Sequence, residues 1–294
     1  MPLRALQYPR ARWTRWLPLV LLALLPATGQ ARETLHWLMR DLPPSTIFAG
    51  PLQGQGAIDR LMPLLVERMP EYDHVLVRVN RARSTQMLKE HPSSCDPTLM
   101  WTAERAKSIA FSIPVFLLPS SGLIVRAADM PRFSAFVDEG QVDLPQLLNA
   151  RTLKIGVVAR RSYGSQVDEI LRHSPPEVLT PHYGDEAVGS LLQMERLGRL
   201  HALIGFWPEV RYQAAQEGLD LDELRFLPIQ GNPAYQYAHV GCSNTPQGRQ
   251  AIEIINREMR VLRESSLMGF YAQWLDPAQR TTYLQDARAY FASH

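Results

Sequence analysis

The pattern of apolar and polar positions begins with a βα order that repeats from residue 34 onward. The predicted elements are a strand at 34–39, a helix through 61–69, a strand at 74–79, a short helix at 87–88 and a strand at 95–100. Helical segments show apolar residues three and four apart, whereas the strands are short apolar or alternating runs. A β-α-β-α-β order is typical of a mostly parallel sheet flanked by helices.

The same pattern restarts in the second half of the chain. Further strands are predicted at 121–125, 153–158, 201–206 and 224–227. One helix is predicted to begin at 166, and a second helix is predicted to end near 198. A strand at 236–242, a long helix through 252–262 and a last helix around 270–275 close the sequence. The restart predicts two α/β lobes.

The first 31 residues have the pattern of a signal peptide. Four arginines precede an apolar run, 16–25, that is too short to span a bilayer, and small residues follow at 29–31. We expect cleavage near Ala31 and a soluble periplasmic protein; the alternative is an uncleaved membrane anchor.

Removal of this segment changes the charge of the protein. The chain has 31 Lys and Arg against 29 Asp and Glu. Four arginines leave with residues 1–31, so 27 against 29 gives a net charge of −2. This balance argues against nucleic acid as a partner, because binding to phosphates needs clustered positive charge.

The two cysteines, Cys95 and Cys242, are 147 residues apart. Export to an oxidising compartment favours a disulfide between them, and two buried free thiols are the alternative.

A short motif carries the main functional indication. Thr102, Glu104 and Arg105 precede an apolar run that contains Phe111, Ser112 and Pro114. The segment resembles the T-x-E-R…FS-x-P motif of bacterial periplasmic solute-binding proteins of family three, which serve amino-acid ABC transporters. In that family the arginine holds the carboxylate of the solute, and a planar guanidinium suits two-point contact with a carboxylate. The alternative is that Glu104 and Arg105 form a solvated ion pair.

The resemblance implies the fold and the domain organisation. It implies a two-lobed, type II periplasmic-binding-protein-like α/β fold, in which each lobe is a mostly parallel sheet flanked by helices. Because the family's chain crosses between lobes twice, lobe one is expected at 32–125 plus 238–294, and lobe two at 126–237. Both cysteines then fall in lobe one.

The resemblance also implies ligand-binding positions on lobe one. Asp41 matches the opening of the family's first loop, and Trp37 and Phe48 are candidates for an apolar wall, although core packing is the alternative for Trp37. Around the motif, Met100 replaces the family's hydroxyl residue, while Thr102 is retained and is placed to cap a helix.

Lobe two is expected to supply the opposite wall. Ser162, Tyr163 and Ser165 resemble a family segment at a helix start, where N–H groups and hydroxyls bind anions; ordinary N-capping is the alternative. Phe206 stands where amino-acid-binding members have an aspartate for the ligand's ammonium, and Trp207 follows it. Since a buried ammonium needs a counter-charge, a standard amino acid is not expected unless Glu209 substitutes.

We therefore expect a monomeric protein that binds a small carboxylate-bearing solute for ABC-type uptake. The alternative is a sensing or partner-binding module with a degenerate cleft. A dehydratase-like enzyme on the same fold is less favoured, because none of its candidate acids, Glu209, Asp41 and His201, lies in a recognisable motif. The sequence also has no zinc-type histidine pair, no G-x-S-x-G elbow and no phosphate loop. No cofactor is expected.

Overall fold

The computed structural model describes residues 32–184, 186–265 and 267–294. The predicted signal peptide, residues 1–31, lies outside this part. The strands are β1 Glu33–Met39, β2 Tyr72–Arg78, β3 Ser94–Met100, β4 Ile109–Pro119, β5 Gly122–Arg126, β6 Val137–Asp138, β7 Gln141–Val142, β8 Ile155–Val158, β9 Leu179–His182, β10 Ala202–Gly205, β11 Leu224–Pro228 and β12 Tyr235–Ser243.

Helices cover these strands. They are α1 Ala57–Glu67, α2 Arg81–Glu90, α3 Ala103–Ala106, α4 Leu144–Asn149, α5 Ser165–His173, α6 Ala187–Arg196, α7 Trp207–Gln216, α8 Pro246–Ser265, α9 Leu267–Ala272 and α10 Pro277–Ser293. Within the described residues, no helix is both long and apolar enough to cross a membrane.

Two five-stranded sheets organise the chain. The first has the order β2-β1-β3-β12-β4, and the second has the order β11-β5-β10-β8-β9. We call each sheet, with the helices packed on it, lobe one and lobe two. Three strands of each sheet are parallel, as expected for βα units, whereas the returning strands pair antiparallel, so both sheets are mixed.

Sheet membership gives the two places where the chain changes lobes. It leaves the first sheet after Pro119 and joins the second at Gly122, then returns between Pro228 and Tyr235. The first crossing comes slightly before the predicted boundary at residue 125. The division into lobes at these points remains a prediction about domains.

The central strands of each sheet are buried on both faces, which explains their largely apolar sequences, whereas the edge strand β2 is mostly exposed. In β1, Leu35, Trp37 and Met39 pack into the main core of lobe one, and Leu38 packs on the opposite face with α2. Apolar clusters likewise cover the two faces of the second sheet.

A disulfide joins Cys95 and Cys242. The two residues are direct neighbours on β3 and β12, with a Cα–Cα distance of 4.0 Å. The bond therefore ties the C-terminal return strand to the N-terminal part of lobe one.

Candidate functional site

The main cavity lies between the two lobes. Its volume is about 70 Å³, and it is partly open to solvent. Its lining comprises Arg40, Leu42, Pro43, Pro44, Ser45, Arg81, Thr98, Leu99, Met100, Arg105, Phe116, Leu118, Arg161, Ser162, Phe206, Glu209, Ala238 and Tyr271. Most of these residues follow, or end, the parallel strands β1, β2, β3, β8 and β10, and the carboxyl ends of such strands are the usual place for ligand sites in α/β sheets.

Arg105 is held at this cavity by the motif found in the sequence. Thr102 caps α3, and its hydroxyl accepts the Arg105 backbone N–H at 3.2 Å. The guanidinium donates to the carbonyl oxygen of Met100 at 2.8 Å. Glu104 pairs with exposed Lys107 instead, so Glu104 and Arg105 do not form a solvated ion pair. Burial and the charge of Arg40 lower the pKa of Arg105.

Arg40 forms a buried ion pair behind the cavity wall. Its guanidinium donates to both carboxylate oxygens of Asp96, at 2.8 and 3.3 Å, and to the carbonyl oxygen of Thr98 at 2.6 Å. Asp96 also accepts the Ser84 hydroxyl at 2.6 Å. Burial alone would raise the pKa of Asp96, but the charge of Arg40 and these hydrogen bonds outweigh it and lower the pKa.

Arg81 has a different environment. It is the first residue of α2, after the N-cap Asn80, and it lines the same cavity. No hydrogen bond or ion pair to its guanidinium is found among residues 32–184, 186–265 and 267–294. Burial, with the charges of Arg40 and Arg161, lowers the pKa of Arg81 to about 9. Arg81 is therefore a partly desolvated cation, and the charge of Glu209 only partly opposes the lowering of its pKa.

Arg161 and Glu209 form the charged wall contributed by lobe two. Arg161 follows β8, and Glu209 lies in the first turn of α7, where its carboxylate meets the guanidinium at 2.6 and 2.9 Å. Burial by itself would lower the pKa of Arg161, but the charge of Glu209 prevails and raises it. The guanidinium also lies 4.8 Å from the centre of the Phe206 ring.

Four of the predicted ligand-binding residues line this cavity: Met100, Arg105, Ser162 and Phe206. Phe206 forms part of the wall and stacks on Tyr163, with ring centroids 6.1 Å apart. It does not fill the cleft. That these residues bind a ligand stays a prediction.

The predicted apolar wall on lobe one is not in the cavity. Trp37 is fully buried in the core of lobe one, and its indole N–H donates to His74 at 3.0 Å. Phe48 packs against the same core and under the guanidinium of Arg78, at 4.5 Å. Both positions follow from burial of aromatic surface. Asp41 accepts the Phe48 backbone N–H and lines adjoining openings rather than the main cavity.

Three predicted residues of lobe two also lie outside the cavity: Tyr163, Ser165 and Trp207. Thr102 does not line the cavity either; it is the N-cap of α3. Tyr163 is buried, and its hydroxyl oxygen accepts the Val158 N–H at 2.7 Å; burial raises its pKa to about 12. Ser165 is exposed at the start of α5. Trp207 packs on Phe226 and donates to Asp276 at 3.2 Å.

A carboxylate of the protein itself, that of Asp168, lies at the anion site expected at the start of α5. Asp168, in the first turn, accepts the Tyr163 backbone N–H at 2.7 Å and the Ser162 hydroxyl. A carboxylate at a helix N-terminus is stabilised by the unpaired N–H groups there. Asp168 thus takes the position that the sequence suggested for the ligand.

Sequence reasoning missed the roles of Arg40 and Arg81, and it chose the serines of the 161–165 segment over Arg161. One signal was available for all three arginines. Each lies within three residues of the end of a predicted parallel strand, where side chains converge on the interlobe edge.

Comparison with known proteins identifies the fold. A histidine kinase sensor domain with similarity to periplasmic binding proteins superposes with a TM-score of 0.64 at 14% identity, covering 83% of this chain and 96% of that one. The amino acid ABC transporter substrate-binding protein AbpA of Streptococcus pneumoniae, bound to L-arginine, gives 0.61 at 15% identity, covering 83% and 94%. The periplasmic VFT2 domain of Bordetella pertussis BvgS gives 0.58 at 16% identity, covering 83% and 93%.

These likenesses show that the chain has the type II periplasmic-binding-protein fold. No protein-family model matches the sequence, and a comparison with curated proteins finds no match. At these identities the comparison establishes the fold alone.

Proposed function

We propose that this protein binds a small carboxylate-bearing solute in the interlobe cleft, in the periplasm, for uptake by an ABC permease. The observation that carries the proposal is the position of Arg105, which the capped turn of α3 holds at the cavity with guanidinium donors beyond the one used by Met100. A guanidinium presents a fork of donors that matches a carboxylate.

The state of the cleft supports solute binding over a degenerate cleft. Phe206 stacks on Tyr163 in the wall, and Trp207 packs away from the cavity. A cavity remains between the lobes beside Phe206. Apolar walls with a few placed polar groups are typical of small-molecule sites.

The ion pair between Arg161 and Glu209 also indicates which class of solute the cavity would bind. Glu209 lines the cavity, as an ammonium partner would, but its carboxylate is engaged by Arg161. We therefore propose a solute without an ammonium group, unlike the amino acids that the family binds.

A sensing role is the second candidate. The compared structures include sensor domains as well as an ABC substrate-binding protein. In either role, closure of the two lobes on the solute would be the event that a permease or a sensor partner detects. Loss of solute uptake on gene deletion would favour transport; unchanged uptake with loss of a cellular response would favour sensing.

The binding proposal is tested by thermal unfolding of residues 32–294 against a panel of carboxylates, amino acids and aromatic acids. A ligand at a hundred times its dissociation constant should add about 2.7 kcal/mol to the free energy of unfolding. Arg105→Ala should abolish that shift without loss of the fold, whereas Lys107→Ala, an exposed cation next to the same turn, should retain it. Equal ligand affinity of the Arg105→Ala variant would remove Arg105 from the site.

A further inference from the structure

We propose that the solute is a small dicarboxylic acid without an ammonium group, and that Arg81 and Arg105 each bind one of its carboxylates. This inference rests on the proposed function and names the chemical class of its ligand. Arg81 is assigned here as a second anchor, on α2.

The first argument is the pairing of the arginines that line the cavity. Arg40 is neutralised by Asp96, and Arg161 is neutralised by Glu209, each through two-point contacts. Arg105 donates only to a carbonyl oxygen, and no partner of Arg81 is found within the described residues. Within the described residues, neither of these two guanidinium groups is hydrogen-bonded to a carboxylate.

The second argument is the charge that results. Four arginines and Glu209 line the cavity, and Asp96 stands directly behind Arg40. Among the described residues that line the cavity, four positive charges stand against one negative charge, and the carboxylates of Asp96 and Asp168 behind the wall offset part of this excess. Closure of the lobes would remove these charges from water, where an uncompensated charge is costly. A dianion places a carboxylate at each of the two arginines that have none hydrogen-bonded to them in the described part of the chain, whereas a monocarboxylate or a zwitterionic amino acid serves only one of them.

The third argument is the separation of the two cations. A smaller recess adjoins the cavity and is lined by Arg40, Asp41, Arg81, Arg161 and Glu209, among others, but not by Arg105. Arg81 therefore stands at the recess side of the cavity, and Arg105 stands at the Met100 side. Two spaced cations match two spaced carboxylates better than one compact oxyanion.

The remaining carboxylates near the cleft do not provide a site for an ammonium group. Asp168 accepts the Tyr163 backbone N–H and the Ser162 hydroxyl, and Asp41 accepts the Phe48 backbone N–H outside the main cavity. With Asp96 and Glu209 already engaged, an ammonium in this cavity would add to the positive charge.

The test measures binding to residues 32–294 by calorimetry, with malonate, succinate, glutarate and isophthalate, each beside its half-amide. Inorganic phosphate and L-glutamate are measured in the same way. A half-amide keeps the shape of the diacid and removes one charge. We expect one diacid to bind, and its half-amide to bind about tenfold or more weakly, because one charged hydrogen bond is lost. In Arg81→Gln the diacid and its half-amide should bind within roughly twofold of each other.

Arg83→Gln is the matched control, because Arg83 is exposed on the same helix and its guanidinium donates to Gln86, while its backbone N–H donates to Asn80. It should keep the full difference between diacid and half-amide. Arg81→Gln without ligand should melt at or above the wild-type temperature, since the substitution removes an unpaired cation; this separates loss of binding from loss of fold.

Three results would overturn the inference. If half-amides or monocarboxylates bind as tightly as diacids while Arg105→Ala still abolishes binding, the proposed function stands and the dicarboxylate assignment fails. If inorganic phosphate or L-glutamate binds in place of the diacids, the assignment also fails. If no carboxylate of either panel binds, both proposals fail.

Discussion

Arg161 and Glu209 close a two-point ion pair inside the cleft wall, with oxygen–nitrogen distances of 2.6 and 2.9 Å and about a tenth of each side chain exposed. The first turn of α7 brings Glu209 to the cavity, three residues beyond Phe206. Among the described residues, Glu209 is the one carboxylate that lines the cavity, and the pair with Arg161 engages it.

Glu209→Gln should destabilise the unliganded protein, because it leaves the Arg161 guanidinium buried without a counter-charge. Breaking such a pair costs several kcal/mol when fully buried, and we expect roughly 1–3 kcal/mol at this partly open position. Thermal unfolding should show a decrease of several degrees. The double variant Arg161→Gln, Glu209→Gln should recover part of the loss, since no unpaired charge remains.

Glu169→Gln is the control for this experiment. Glu169 and Arg172 also form a carboxylate–guanidinium ion pair, but both side chains are more than half exposed. Exposed pairs contribute about 1 kcal/mol or less. Equal destabilisation by Glu209→Gln and Glu169→Gln would mean that the cleft pair is not desolvated.

Much of the fold was predictable because burial on both faces of a sheet leaves continuous apolar runs. The strand β4, Ile109–Pro119, was missed because Pro114 and Pro119 argue against a strand. The structure accommodates them at the edge of the sheet, where β12 shifts register opposite Pro114. The last helix, Pro277–Ser293, was missed because its apolar residues follow no helical period.

The site was less predictable than the fold. The motif around Arg105 indicated one anchor through resemblance, and local sequence explains its cap. Arg40 and Arg81 lie in no recognisable sequence motif. They come close together only because the strands that precede them are neighbours in the sheet. Nothing in the sequence distinguishes Trp37, buried in the core, from an aromatic residue in a pocket wall.

The Cys95–Cys242 disulfide gives a second prediction. Thiol titration of the unfolded, unreduced protein should find no free thiol, and titration after reduction should find two. Because the bond closes a loop between residues 147 apart, the Cys95→Ala, Cys242→Ala variant should lose roughly 2–5 kcal/mol of stability. Denaturation in urea measures this loss, with reduced wild-type protein as the control. Two reactive thiols before reduction would contradict the bond.

The buried carboxyl group of Glu195 should make the free energy of unfolding depend on pH. It is almost fully buried on α6, its Oε1 has no hydrogen-bond partner within the described residues, and burial raises its pKa from 4.5 to about 8 despite the opposing charge of Arg126. Between these values the folded state holds a proton that the unfolded state releases, so this group's contribution falls as pH rises. Glu195→Gln should therefore be more stable than wild type by roughly 2–4 kcal/mol at pH 8–9, and the gain should shrink toward pH 4.5. Urea denaturation across this range measures it, with exposed Glu223→Gln as the control for lost charge; a gain that is independent of pH would contradict the buried, protonated carboxyl.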